Sequence, residues 1–143
     1  MIFRFARFVP LLIVLTAAAE GDGFRVVKPD EIAWRDAPNM PGLSGIVLAG
    51  DPSQPGPYVM RGRFAPGLIN PPHRHDQERH VVVLSGTWYV GTGEKLDLEN
   101  MQALPAGSFM VHPAGGAHYD GAKDSEVIVQ ISGIGPVSTE YIK

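Results

Sequence analysis

Beyond its amino-terminal apolar run, the chain never sustains a helix-length 3.6-residue period. It consists instead of short runs rich in β-branched and aromatic residues, separated for the most part by its thirteen prolines and seventeen glycines and by Asn and Asp. Such runs have the length of strands. "IAWRD", "SGIVLAGD", "YVMRGRFA", "RHVVVLSG", "TWYVGTG", "GSFMVHP", "HYDGA", "SEVIVQISGIG" and a last piece around "STEYIK" are the candidates. Turn signals recur at roughly 8–12-residue spacing, which predicts an all-β sandwich or barrel. Ser85-Gly86 supplies the positive-φ position for a tight hairpin between "VVVL" and "TWYV". "LDLENMQALPAGSF" holds the one short helical turn expected, and "GDPSQPGP" reads as a long surface loop. There is no internal repeat and no interdomain linker, so the 143 residues fit one domain with one core.

The amino terminus has a different character. Arg4 and Arg7 precede the apolar run from Phe8 to Leu15, which is too short to span a bilayer and ends in Ala17, Ala18 and Ala19. That order predicts a secretory signal peptide over residues 1–19, cut after Ala19, and a mature domain over 20–143; an uncleaved anchor or a core helix are the alternatives. A secreted or periplasmic protein follows, with no stable membrane insertion after cleavage. The net charge of −3 argues against nucleic acid as a partner. Despite the exported compartment the chain has no cysteine, which excludes thiolate ligands and thiol catalysis. Any metal must be held by His, Asp, Glu, carbonyls or water.

Three of the five histidines fall in "HRHDQERH". On an extended strand His73 and His75 point the same way and can reach one cation; two solvent-exposed histidines in a polar loop are the alternative. Gly67 stands six residues before His73, and Gly86 closes the strand that follows. A second block repeats this grammar: Gly107, five residues, Pro113, one residue, Gly115, two residues, His118.

Together the blocks resemble the paired motifs of the cupin superfamily, G-x5-H-x-H-x3,4-E-x6-G and G-x5-P-x-G-x2-H-x3-N. The resemblance runs from about residue 58 to 134. It implies a small jelly-roll β-barrel with a divalent metal inside, held by His73, His75 and His118, and it makes a dioxygenase-like oxidoreductase the expected activity. It does not fix the metal, which imidazoles accept as Fe, Mn, Ni, Cu or Zn. Barrels of this superfamily often pair through edge strands, and the apolar "SEVIVQISGIG" needs a cover on both faces or a partner, so a homodimer is expected.

Two positions depart from the pattern. The Glu ligand, counted back from Gly86, falls on Arg79, and the terminal Asn falls on Ala122. An arginine cannot ligate a cation. The open candidates for a fourth ligand are water or substrate, then Glu78, then Gln77 or His80. With a divalent ion ~6 Å away at an effective dielectric of ~20, an inward Arg79 meets roughly 5 kcal/mol of repulsion. It either turns outward to pair with Asp76 or Glu78, or clamps an anion between itself and the metal. The second arrangement makes Arg79 a binding residue for a small anionic organic substrate, with Glu78 and Tyr119 as the candidate catalytic groups. A non-catalytic module for an anionic metabolite or sugar is the alternative function. Trp88, Tyr89 and Phe109 are read as core or pocket lining and His112 as a surface or packed histidine, with a fifth site group as the alternative. Met60 and Arg61 lie on the strand before the motif, with the inward one of the two undecided.

Overall fold

Alternation of apolar and polar side chains becomes strand almost wherever the sequence carries it. The structure, a computed structural model, describes residues 23–143; the expected signal peptide lies outside the described residues. The strands are β1 (Arg35–Asp36), β2 (Leu43–Ala49), β3 (Gly56–Phe64), β4 (Ile69–His75), β5 (Arg79–Ser85) and β6 (Thr87–Thr92). They continue as β7 (Gln102–Pro105), β8 (Phe109–His112), β9 (His118–Gly121), β10 (Val127–Gly135) and β11 (Thr139–Tyr141). Among the described residues no helix is long and apolar enough to cross a membrane.

Two antiparallel sheets face one another in the jelly-roll manner. One is six-stranded, in the order β1-β2-β3-β10-β5-β8, and the other five-stranded, in the order β11-β4-β9-β6-β7. The all-β jelly roll is as expected, although the two sheets are not joined into a closed barrel. Their inner faces meet in a core of Tyr58, Phe64, Val81, Val83, Trp88, Val90, Val127 and Val129. Each such side chain contributes roughly 1.5–3 kcal/mol of transfer free energy on burial.

Three expectations need correction, and one choice left open is settled. Ser85-Gly86 does not make a hairpin, because β5 and β6 belong to different sheets. Gly86 does take the positive φ of 74°, and there the chain passes so close to the carbonyl of Glu126 that a Cβ would collide with it. Only glycine permits that crossing. "LDLENMQALPAGSF" forms bends and the strand β7 rather than a helical turn; the one helical turn described is a 3-10 turn at Pro29–Glu31. Strand β4 was not among the expected strands, since Pro71 and Pro72 interrupt its pattern. They sit where the β4–β9 ladder shifts register between Asn70 and His73, at a bulge that does not require their missing N–H groups. Lastly, β10 is paired with β3 and β5 on its two sides, and Val127, Val129 and Ile131 point into the core. Its backbone needs no partner chain.

Candidate metal centre

The paired motifs are a mechanism for bringing β4 and β9 together. Gly115, at a φ of 74°, donates its backbone N–H to the carbonyl of His75 at 2.7 Å, so the Pro-x-Gly turn docks on the first block. Gly67, at a φ of 82°, likewise donates to the carbonyl of Lys123 at 2.7 Å. These two bonds place His73 directly opposite His118 in the β4–β9 ladder.

His73, His75 and His118 are each no more than 3% exposed, and one nitrogen from each lies within 4.8 Å of the others. Their orientation is set from behind. Nδ1 of His73 lies 2.7 Å from the carbonyl of Pro71, and Nδ1 of His118 lies 2.9 Å from that of Gly116. Nδ1 of His75 lies 3.3 Å from the carbonyl of Ser138 and 3.0 Å from Oγ1 of Thr139. A carbonyl only accepts, so Nδ1 carries the proton in each ring and Nε2 keeps its lone pair. Nε2 of His75 and of His118 is buried without a hydrogen-bond partner. Three fixed imidazoles with lone pairs converging are what a divalent cation requires, and the residues fit one.

Burial lowers the pKa of all three, helped for His75 by the nearby Arg79 charge. His75 is held at about 3 and His118 at about 4. The site is therefore neutral imidazole, free of competing protons, over the ordinary pH range.

The cavity beside these rings has a volume of about 310 Å³. Met60, Phe64, Val129 and Ile131 form its apolar wall, while His73, His75, Arg79, His112 and Asp120 form its polar end, with Tyr141 also lining it. Arg79 begins β5, on the inward parity shared with Val81 and Val83. The outward pairing with Asp76 or Glu78 is not found. Asp76 instead accepts from the Ser138 N–H at 2.7 Å, and Glu78 pairs with His80 at 3.1 Å. Among the described residues no carboxylate lies within ion-pair distance of the Arg79 guanidinium, and its Nε is enclosed without a partner.

The other candidates lie elsewhere. Glu78, Gln77 and His80 are exposed and do not line the cavity. Tyr119 alternates with His118 and Asp120 along β9, and its hydroxyl donates to the Asp97 carbonyl at 3.3 Å, outside the cavity. Ala122 is fully buried. Met60 is the inward residue of its pair, and Arg61 donates to Gln130 at 3.1 Å. Trp88 lines the cavity, but Phe109 does not: on β8 the inward positions are Met110 and His112, and Phe109 is 60% exposed.

Two residues, Asn70 and Asp120, were missed, and His112 belongs to the site rather than to a surface or to packing alone. His112 is 1% exposed, with neither ring nitrogen partnered, and its ring centroid stands 3.8 Å from that of His118. It sits across the ladder from Arg79, a register no single strand reveals. Asn70 is brought onto the inner face by the bulge, its Nδ2 3.4 Å from Nε2 of His73. Asp120, 2% exposed, places Oδ2 3.8 Å from Nε2 of both His73 and His118. The two-residue parity that pairs His73 with His75 was enough to pair Asp120 with His118.

This fold and histidine cluster define a cupin. A family model for the ChrR cupin-like domain matches residues 22–138, and the chain belongs to that family. A germin-like protein from Mesembryanthemum crystallinum is 37% identical over 89 residues, covering 58% of this chain; the match spans only 34% of that relative's length. The polyketide cyclase RemF from Streptomyces resistomycificus superposes with a TM-score of 0.65 at 16% identity, covering 84% of this chain and 87% of the other. The DMSP lyase DddQ from Ruegeria pomeroyi DSS-3 does so with a TM-score of 0.58 at 18% identity, covering 72% and 56%. At these identities the two structures testify to the fold.

Proposed function

We propose that this chain is a metal-dependent cupin that takes a small organic anion into the cavity between its sheets, with His73, His75 and His118 holding the cation and Arg79 holding the anion. The observation that carries the reading is Arg79 itself, an inward guanidinium with no carboxylate in ion-pair distance beside three imidazoles. A largely enclosed guanidinium with no ion-pair partner is costly, and a bound anion offsets that cost. The planar fork of Arg matches a carboxylate in two hydrogen bonds and fixes its orientation. Met60, Phe64, Val129 and Ile131 take the hydrocarbon part of the ligand and exclude water around the polar end.

A divalent ion at this site would supply a Lewis acid toward an oxygen of the ligand and, with an oxidisable metal, the oxidoreductase chemistry of a dioxygenase. The chain's own part is orientation: Arg79 sets the ligand's charged end, and the carbonyls behind the imidazoles keep the rings from turning. The placement of Glu78 and Tyr119 outside the cavity favours a second reading, a binding module without turnover.

The same proposal takes the protein as exported and homodimeric. Arg4, Arg7 and the Ala17–Ala19 end of the apolar run support export, and the exposed Phe109 and Val111 on the edge strand β8 support a partner surface. Elemental mass spectrometry on the purified protein tests the centre: about one equivalent of metal in the wild type, lost in His73→Ala, His75→Ala and His118→Ala. Oxygen uptake and product analysis with a panel of small carboxylates then separate enzyme from binding module. A wild type that takes up no divalent metal, even on reconstitution, sinks the reading.

A further inference from the structure

The cavity contains a carboxylate that the reading above leaves without a task. Asp120 is buried, Oδ1 has no partner, and Oδ2 stands 3.8 Å from two of the three proposed ligand nitrogens. One of its carboxylate oxygens also lies within 4.8 Å of a His112 nitrogen. Arg79 lines the same cavity but lies beyond ion-pair distance. An enclosed carboxylate with an unpartnered oxygen is costly unless a cation comes to meet it.

Coordination chemistry supplies that something. A divalent cation beside Arg79 puts about three positive charges at one end of a small cavity, and neutral imidazoles cancel none of them. Asp120 is the carboxylate positioned to do so. It also lies on the same strand and face as His118, and opposite Asn70 in the ladder that sets His118 against His73. We infer that Asp120 is a ligand of the metal centre, completing a site of three histidines and one aspartate. The carboxylate absent from the Arg79 position is then restored from β9, four strands further along the chain. Position 79 is thereby released for anion binding. This inference rests on the metal reading of His73, His75 and His118.

Cobalt(II), titrated into the chelator-treated full chain, tests it. The readouts are affinity by competition with a chromophoric chelator and the visible absorption of the bound ion, with far-ultraviolet circular dichroism to confirm folding. Asp120→Asn, which keeps the shape and removes the charge, is expected to weaken cobalt(II) by more than about 100-fold and to shift the visible bands. Loss of a partner that merely supports a ligand typically costs about 10–100-fold. An unchanged visible spectrum in Asp120→Asn, whatever the affinity, overturns the inference. The metal reading survives that result if His73→Ala abolishes binding, and a wild type that binds no cobalt(II) overturns both. Should Asp120→Asn not fold, the infrared difference spectrum of the wild type on cobalt(II) binding decides. Carboxylate stretching bands that shift on binding are expected, and bands that stay in place overturn the inference.

Discussion

Arg79 and His112 are direct cross-strand partners, paired residue to residue where β5 and β8 meet. Both line the cavity, and neither Nε of the arginine nor either nitrogen of the imidazole finds a hydrogen bond. Two adjacent polar groups left in this state are built for a ligand that supplies acceptors and donors. Burial first, and the neighbouring His118 next, holds His112 at about 2, so it remains a neutral imidazole beside the guanidinium.

Replacing Arg79 with Met therefore separates the two halves of the site. Metal content should stay near that of the wild type, while affinity for small carboxylates falls by about tenfold to 100-fold, the worth of a hydrogen bond to a charged group. Isothermal titration of the metal-loaded proteins reads the second quantity. The metal-free variant should also gain about 1–3 kcal/mol in stability, since it no longer encloses an unpartnered charged group. A stability loss of that size would instead assign Arg79 to the fold.

Thr139 stands behind His75 as a carbonyl stands behind each of the other two rings. Its Oγ1 is 3.0 Å from Nδ1 of His75, and β11 carries it there by pairing with β4. Thr139→Val keeps the branched shape and removes the oxygen. Metal affinity should drop by about tenfold, because the Ser138 carbonyl at 3.3 Å still holds the ring. Competition titration against a chelator of known affinity measures the change.

In the metal-free protein the histidines make stability depend on pH in a definite direction. His75, His112 and His118 are held at about 3, 2 and 4, below the ordinary 6.5, so the unfolded chain binds more protons as pH falls below 6.5, and their contribution is lost on acidification. Asp120 runs the other way. Its carboxyl is raised from 3.8 to about 7, and its contribution grows as pH falls through 7 toward 4. His73 is lowered in the same direction, so four histidines stand against one aspartate and leave about two to three protons net, or about 3–4 kcal/mol of stability lost per pH unit near pH 5. Urea unfolding of the chelated protein at pH 7, 6 and 5 should show that fall; a flat profile would mean that the rings are hydrated and the site is open to water.

Much of this was legible in the sequence because strands and turns are local. The runs "YVMRGRFA", "RHVVVLSG" and "SEVIVQISGIG" contain β3, β5 and β10 nearly end to end, and Gly67, Gly86, Gly107 and Gly115 all take positive φ. What failed depended on partners distant in the chain. β4 hid behind Pro71-Pro72, whose tolerance comes from a bulge against β9. The direction of Arg79 stayed open because its acidic neighbours Asp76 and Glu78 offered it a pair, and only the fold shows that Asp76 is taken by the Ser138 N–H from beyond β10. His112 and Asp120 look ordinary until the ladders set them beside His118.

Glu78 and Tyr119 give the last prediction, because their placement separates proximity in sequence from proximity to the chemistry. Glu78 stands three residues from His75 yet is exposed and paired with His80, while Tyr119 adjoins His118 but turns its hydroxyl to Asp97. Glu78→Gln should leave metal content, anion affinity and any turnover unchanged within about twofold, and stability within about 0.5 kcal/mol, as for surface changes in general. Tyr119→Phe should leave the same three quantities unchanged but lower unfolding stability by about 1 kcal/mol, the net worth of one lost hydrogen bond. Metal analysis, calorimetry and urea unfolding on the two variants provide the check. A tenfold fall in turnover for either, with metal and anion binding intact, would show that the working form brings that side chain into a cavity from which this structure keeps it apart.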